Sequence, residues 1–221
     1  MKQYKHFRGV YCLDGKKISL FTKNLVPGKS VYNEKLFKDD FEYREWNHKK
    51  SKLGAGLLKG ISQIGVKPGS VVLYLGSATG TTVSHVSDII GNEGFVFALD
   101  FAPRVLRELV FLAEERKNIA PLLEDAFHPK RYADKISAVD VVFQDIAQRN
   151  QVEIFLRNLD MFLIKGGFGL LAVKARSVDV TKKPSQVFRE VRTALEKKVT
   201  IVDYKTLDPF EKDHCLFVVK K

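Results

Sequence analysis

The stretch VVLYLGSATGTTVSHVSDII, residues 71–90, constrains the chain more than any other. Val71 to Leu75 form a short apolar run with two β-branched residues, which reads as a buried strand. Gly76 and Gly80 frame a turn, and Val83, Val86 and Ile90 then fall on one face of a helix. A strand, a glycine-bearing turn and a helix make the first half of a βαβ unit. Such a unit points the free N–H groups of a helix at a ligand.

The same alternation continues. A helical spacing over SKLGAGLLKGISQIG (51–65) precedes the opening strand, and FVFALD (95–100) follows the helix as the next strand. RVLRELVFLAEERK (104–117) reads as a helix, and IAPLLED (119–125) and AVDVVFQD (138–145) as strands. NQVEIFLRNLDMFL (150–163) is helical and GGFGLLAVKA (166–175) a strand. PSQVFREVRTALEKK (184–198) is a last helix, before the β runs TIVDYKTL and HCLFVVKK. Strands alternating with helices predict an α/β fold built on a mostly parallel, doubly wound sheet. The final two β runs are joined by a loop too short for a crossover, so the last strand should be antiparallel.

Residues 1–50 differ in pattern. GVYCLDGKKISLFTKN reads as a hairpin about Asp14-Gly15, and LVPGKSVYNEKLF and FEYREW add short aromatic runs. We therefore expect a small antiparallel β domain over 1–50 and the nucleotide-binding domain over 51–221. The net charge of +11, from 37 basic and 26 acidic residues, favours a polyanionic partner. Cys12 and Cys215 are too few for a disulfide framework or a structural zinc site, and no metal site is expected. No apolar run of signal-peptide or membrane-spanning length is visible, so the expectation is a soluble, cytoplasmic protein with no membrane partner.

In a doubly wound sheet the ligand lies beyond the carboxyl ends of the strands. The turn after Leu75 lacks both the triphosphate cradle G-x-x-x-x-G-K-[ST] and the dinucleotide spacing G-x-G-x-x-G. It begins at Gly76 and ends in Thr81-Thr82, whose N–H groups can take a carboxylate. Asp100, ending the second strand, can accept both hydroxyls of a ribose, with Phe101 offering a flat face to a base. Asp125, after the third, can accept from an exocyclic amine. A nucleoside that carries a carboxylate and no phosphate is S-adenosylmethionine.

The segments NLVPGKSVYNEK, EYREWN, SKLGAG, LYLGSATGTTVSHVSD, EDAFHP, VDVVFQDIAQ, VKARSVD and PFEKDH closely resemble the fibrillarin family in its archaeal form. Those segments run through nearly the whole chain. The resemblance implies a Rossmann-like class I methyltransferase fold behind a small β domain. It also implies S-adenosylmethionine-dependent methylation of ribose 2′-hydroxyls in rRNA and tRNA. Donor contacts would fall on Gly76, Thr81, Thr82, Asp100, Phe101, Asp125, Ala126, Asp145, Ile146, Ala147 and Gln148. The family's catalytic Lys-Asp-Lys-His set maps to Lys52, Asp145, Lys174 and His214. Three of these sit at strand ends and Lys52 opens a helix, so all four can meet at one rim. Lys174 would serve the reacting hydroxyl, as base if neutral or as stabiliser if charged. Lys52 would act on Lys174 as a second cation, and Asp145, if paired with Lys174, would offset it.

Here Asp100 replaces the family's commoner Glu, and Phe127 and Arg149 stand where Arg and Pro are usual. The family acts in a particle, so the implied partners are a box C/D guide RNA with its target rRNA or tRNA, a Nop-type scaffold protein and a kink-turn-binding protein. The groups HKKSK, KAR, TKK and the terminal KK are candidates for phosphate contacts, which position RNA without reading it. Three other readings remain: a non-catalytic component of such a particle, a guide-independent rRNA or tRNA methyltransferase, and methylation of a protein glutamine. Donor binding, guide dependence and a 2′-deoxy target separate them.

Overall fold

A computed structural model describes residues 1–221 apart from 14, 16 and 17. The amino-terminal part holds β1 (Lys2–Gln3), β2 (Val10–Leu13), β3 (Ser19–Lys23), β4 (Leu36–Lys38) and β5 (Glu42–Trp46). They form one sheet in the order β1-β2-β3-β5-β4, antiparallel throughout. β2 and β3 pair as the expected hairpin, although Asp14 of its turn lies outside the described residues.

The larger sheet contains β6 (Val71–Leu75), β7 (Phe95–Asp100), β8 (Ile119–Leu123), β9 (Val139–Gln144), β10 (Leu163–Lys174), β11 (Thr200–Thr206) and β12 (His214–Lys220). Its order is β11-β12-β10-β9-β6-β7-β8. β6 to β10 are parallel where they pair, and β12 is antiparallel to both neighbours. The helices are α1 (Lys52–Leu58), α2 (Thr81–Ile90), α3 (Pro103–Glu115), α4 (Gln151–Phe162), α5 (Ala175–Val178) and α6 (Pro184–Glu196).

Successive residues of β6 serve opposite faces, as the two-residue period of a strand requires. Val72 and Tyr74 join one core with Leu53 of α1, Val83 and Val86 of α2, and Val10, Leu20 and Trp46 of the small sheet. Leu73 and Leu75 join the other, with Ile154, Phe155 and Leu159 of α4 and Val187 and Val191 of α6. The small sheet thus shares a core with one face of the large one.

α1 is shorter than its apolar spacing predicted. Gly60 N–H donates to Leu57 O and Ile61 N–H to Gly56 O, both at 3.0 Å, and Gly60 takes φ +78°. That pair of bonds around a left-handed glycine is a Schellman cap, which ends the helix at Leu58 with Gly60 two residues beyond. Ile61 and Ile64 remain buried, but from the segment beyond the cap. Their spacing mimicked a helix.

The two sheets are joined by buried charge. Arg44 of β5 donates to Glu34 at 2.6 Å and to Asp88 of α2 at 2.9 Å, and Arg116 donates to Asp88 at 2.6 Å. None of these four side chains is more than 2% exposed. Two guanidinium groups therefore face two carboxylates, and each carboxylate takes further donors. Thr22 donates its hydroxyl proton to Asp88 at 2.7 Å, so its oxygen accepts from Nδ1 of His85, also at 2.7 Å. His85 Nε2 lies 2.8 Å from Tyr32 OH, which is also 3.0 Å from the carbonyl of Glu45. His85 is wholly buried and stacks on Trp46 with ring centroids 4.8 Å apart. Burial, with the charges of Arg44 and Arg116 adding, holds its pKa well below 6.5, so the ring is neutral.

No helix among the described residues is long and apolar enough to cross a membrane.

Candidate active site

Strand order reverses between β6, whose crossover runs toward β7, and β9 on its other side. The crevice at such a switch point is where a doubly wound sheet binds its ligand. The loops leaving β6 and β9 touch here. A Cβ on Gly76 would lie 2.4 Å from the carbonyl oxygen of Asp145, and Gly76 has φ +81°. Only glycine allows that approach. Asp145 N–H donates to Leu75 O at 2.9 Å and fixes the second loop to the first.

A cavity of about 250 Å³ opens at this point. Gly76, Asp100, Phe101, Asp125, Ala126, Asp145, Ile146, Ala147 and Gln148, all named from sequence, line it together with Ala78, Leu99 and Glu124. The last three flank the named positions, and only their neighbourhood could have flagged them. Asp100 accepts from Ala78 N–H at 2.9 Å on one oxygen and from Ala102 N–H at 3.0 Å on the other. These bonds fix its plane while leaving each oxygen a further lone pair. Asp125 accepts from Phe127 N–H at 2.9 Å through one oxygen, which holds the carboxylate in a tight turn. Phe101 is 64% exposed, an unusual state for phenylalanine, and stands at the cavity mouth.

Thr81 and Thr82 do not line this cavity. Thr81 opens α2 and borders a separate groove with Val31, Tyr32 and Phe111. Thr82 is buried, and its hydroxyl donates to Ser51 Oγ at 3.0 Å. Sequence placed both at the helix entrance but could not show which way they turn.

The three remaining predicted residues, with Asp145, make up the adjoining rim. Lys52 is the first residue of α1, and its Nζ lies 3.0 Å from both carboxylate oxygens of Asp145. Both side chains are about a quarter exposed or less. Lys174 ends β10 and stands directly opposite His214, the first residue of β12. Residues opposite in an antiparallel pair project from the same face. Lys174 is exposed, with no ion pair among the described residues, whereas His214 is buried. Asp145 is thus held by Lys52 and not by Lys174, which settles the alternative the sequence left open.

His214 Nδ1 lies 2.7 Å from the carbonyl of Lys212. A carbonyl only accepts, so Nδ1 carries the hydrogen and Nε2 keeps a lone pair. Burial lowers the His214 pKa below 6.5, and the nearby charge of Lys52 adds to this. The Lys212 carbonyl, Glu211 and Asp145 oppose it without reversing it. At neutral pH the ring is therefore uncharged. The arrangement offers a fixed ion pair, an unpaired lysine and a basic nitrogen beside a cavity that also bears Asp100, Glu124 and Asp125. That set can bind a nucleoside and draw a proton from a hydroxyl placed between cavity and rim.

The fibrillarin family model matches residues 1–221. A fibrillarin-like rRNA/tRNA 2′-O-methyltransferase of Thermococcus onnurineus (strain NA1) is 53% identical over 226 residues, covering 100% of each chain. Aeropyrum pernix fibrillarin, solved in complex with natively bound S-adenosyl-L-methionine, superposes with a TM-score of 0.91 at 44% identity, covering 99% of this chain and 96% of that one. A solved fibrillarin/Nop5p complex gives 0.87 at 41% identity, covering 97% and 98%.

Proposed function

The chain belongs to the fibrillarin family, and from that premise we propose that it transfers a methyl group from S-adenosylmethionine to ribose 2′-hydroxyls of rRNA and tRNA. One observation carries the reading. Asp145 lines the nucleoside-sized cavity and is also the partner of Lys52, so donor pocket and reaction rim share a residue.

The donor set suits this cofactor. At about 250 Å³ the cavity lies below the ~300–1,000 Å³ usual for drug-sized ligands, which matches the nucleoside end alone. Asp100 has acceptor capacity for both ribose hydroxyls, and Asp125 keeps one oxygen free for the amine of adenine. Leu99, Phe101, Ala126 and Ile146 supply apolar walls for the base. Among the described residues Ser77 Oγ, inside the turn after β6, is buried and has no partner, as expected beside a polar ligand tail. When bound, the cofactor supplies an electrophilic methyl carbon on a sulfonium.

The chain's own residues do the rest. Lys174 engages the attacking 2′-hydroxyl from the rim, and neutral His214 offers Nε2 to the departing proton. Asp145, fixed by Lys52, holds the loop after β9 against the turn after β6. Alignment of two reactants can contribute up to ~7–11 kcal/mol to barrier lowering. Rigid placement therefore matters more here than any single proton transfer.

No element of the fold resembles a module that reads RNA bases. Exposed lysines and arginines near the rim, among them Lys49, Arg149, Arg176 and Lys212, suit phosphates instead. Target choice then rests with a box C/D guide RNA in a particle containing a Nop-type scaffold and a kink-turn-binding protein. The test has two parts. Calorimetry should show donor binding that Asp100→Ala weakens and Lys174→Ala preserves. Reconstitution with guide RNA, scaffold and kink-turn protein should give methylation that a 2′-deoxy target abolishes. Site-selective methylation of bare RNA by the chain alone would overturn the guided reading. Donor binding without any methylation in the reconstituted particle would favour a non-catalytic component.

A further inference from the structure

The turn of Thr82 away from the cavity gives it another task. Its hydroxyl donates to Ser51 Oγ at 3.0 Å, and Ser51 Oγ also accepts from Gly54 N–H at 3.2 Å. Ser51 is therefore the N-cap of α1, and Lys52 is the next residue. Tyr74 of β6 lies beside Thr82 and close enough to Asp145 to feel its charge. Ser51, Tyr74 and Thr82 are all buried, at 2%, 2% and 7% exposure. A buried hydroxyl pair, Thr82 and Ser51, thus adjoins the residue that begins α1.

Its two ends belong to different parts of the site. Thr82 is the second residue of α2, immediately after the turn that edges the donor cavity. In that turn Gly80 has φ +92°, and a Cβ there would lie 2.6–2.8 Å from the side chains of Leu112 and Leu109, so the turn packs closely on α3. Ser51 begins a helix of seven residues, too short to hold its own first turn firmly. A cap bond alone fixes the start of α1 relative to itself. The Thr82 bond fixes it relative to the donor turn.

We propose that Thr82 and Ser51 form a buried strut that positions Lys52, and through it Asp145, against the donor turn for methyl transfer. They are positioning residues, since neither contacts the rim. The proposal rests on the methyl-transfer reading and adds that donor placement and Lys52 placement are set by one shared hydrogen bond. It leaves the Thr82 backbone N–H, the group the sequence assigns to a carboxylate, unaffected.

Thr82→Val keeps shape and removes the hydroxyl, and Thr82→Ser restores it. In the reconstituted particle, Thr82→Val should lower kcat about tenfold to a hundredfold, the scale of a misplacement remote from the chemistry. The calorimetric affinity for S-adenosylmethionine should stay within about twofold of wild type, because the donor keeps its carboxylates. Thr82→Ser should recover most of kcat. A second readout needs no activity. Lys52 lowers the His214 pKa, while Asp145, Glu211 and the Lys212 carbonyl raise it. NMR titration of the His214 ring should therefore shift upward in Thr82→Val, with Lys52→Met giving the upper limit. An unmoved His214 titration would overturn the strut even if the enzyme reading failed. Lost donor affinity with kcat kept would overturn it in favour of direct donor contact. A moved titration in a particle inactive at wild type would keep the strut and sink the methyl-transfer reading.

Discussion

Two ion-pair sites, on α2 and α1, set cations against carboxylates to opposite ends. At the junction of the sheets, Arg44, Arg116, Glu34 and Asp88 are sealed from water and every charge is met by more than one partner. At the rim, Lys52 and Asp145 keep about a fifth to a quarter of their side-chain surface in solvent, and Lys174 beside them is exposed. The junction spends its polar groups on one another, so nothing is left for a ligand. The rim keeps lone pairs and a cation in reserve. A buried, saturated network serves stability and an open, unsaturated one serves chemistry, and the following substitutions should separate the two.

The largest effect should come from the junction. Asp88→Ala removes the carboxylate shared by Arg44, Arg116 and Thr22 and leaves two guanidinium groups buried together. Breaking a buried pair by removing one partner costs ~3–5 kcal/mol. Urea denaturation should show a loss of that size, whereas Asp145→Ala, at the rim, should cost under ~1 kcal/mol. Equal losses would erase the distinction between the two sites.

Catalysis should respond in the reverse order. Lys174→Ala in the reconstituted particle should reduce kcat by about 10²-fold or more, in the range for loss of a group stabilising charge on the attacking oxygen. Its thermal midpoint should remain at the wild-type value, since Lys174 is exposed and unpaired among the described residues. A kcat within threefold of wild type would remove Lys174 from the reaction. A smaller effect is expected from Asp100→Ala. Loss of hydrogen bonds to a charged acceptor is worth ~1.5–3 kcal/mol, so donor affinity should weaken about ten- to a hundredfold, read by calorimetry. Unchanged affinity would mean that its oxygens serve only Ala78 and Ala102.

The sequence carried much of the rim and little of the junction, for a physical reason. Asp100, Asp125 and Asp145 follow strands, and strand ends are visible in a pattern of apolar runs. Asp100, Phe101 and Asp125 were readable in that way, the resemblance supplied the others, and nine of the eleven donor residues line one cavity. Thr81 and Thr82 were placed at the right helix entrance, but side-chain direction depends on packing against Ser51 and on the groove beside α3. Arg44, Asp88 and Arg116 gave no signal, because a charged residue reads as a surface residue until its partners from distant segments are known. α1 is shorter than its spacing suggests because buried Ile61 continues the apolar period of Leu53, Leu57 and Leu58 past the cap at Gly60.

The smallest effects should come from two buried histidines, one in each region. His85 and His214 both carry a pKa below 6.5, and burial is the first cause in each. A group whose folded pKa is depressed takes up its proton more readily when unfolded. Its contribution to stability is then complete above the unfolded value near 6.5 and is lost as pH falls through the folded value. His85 is held further down, at 0% exposure between Thr22 and Tyr32, so it should dominate the acid loss of stability. Denaturation midpoints should fall as pH drops below about 6.5, and His85→Gln should flatten that slope even if its midpoint at pH 7 is lower. His214→Gln should change the slope less. Activity should divide the other way: the acid limb of kcat belongs to His214, because protonating Nε2 removes the lone pair that receives the proton. It should lie below pH 6.5 and keep its position in His85→Gln. If one substitution moved both the stability slope and the acid limb of kcat, the two regions would titrate as a single unit and the division between them would fail.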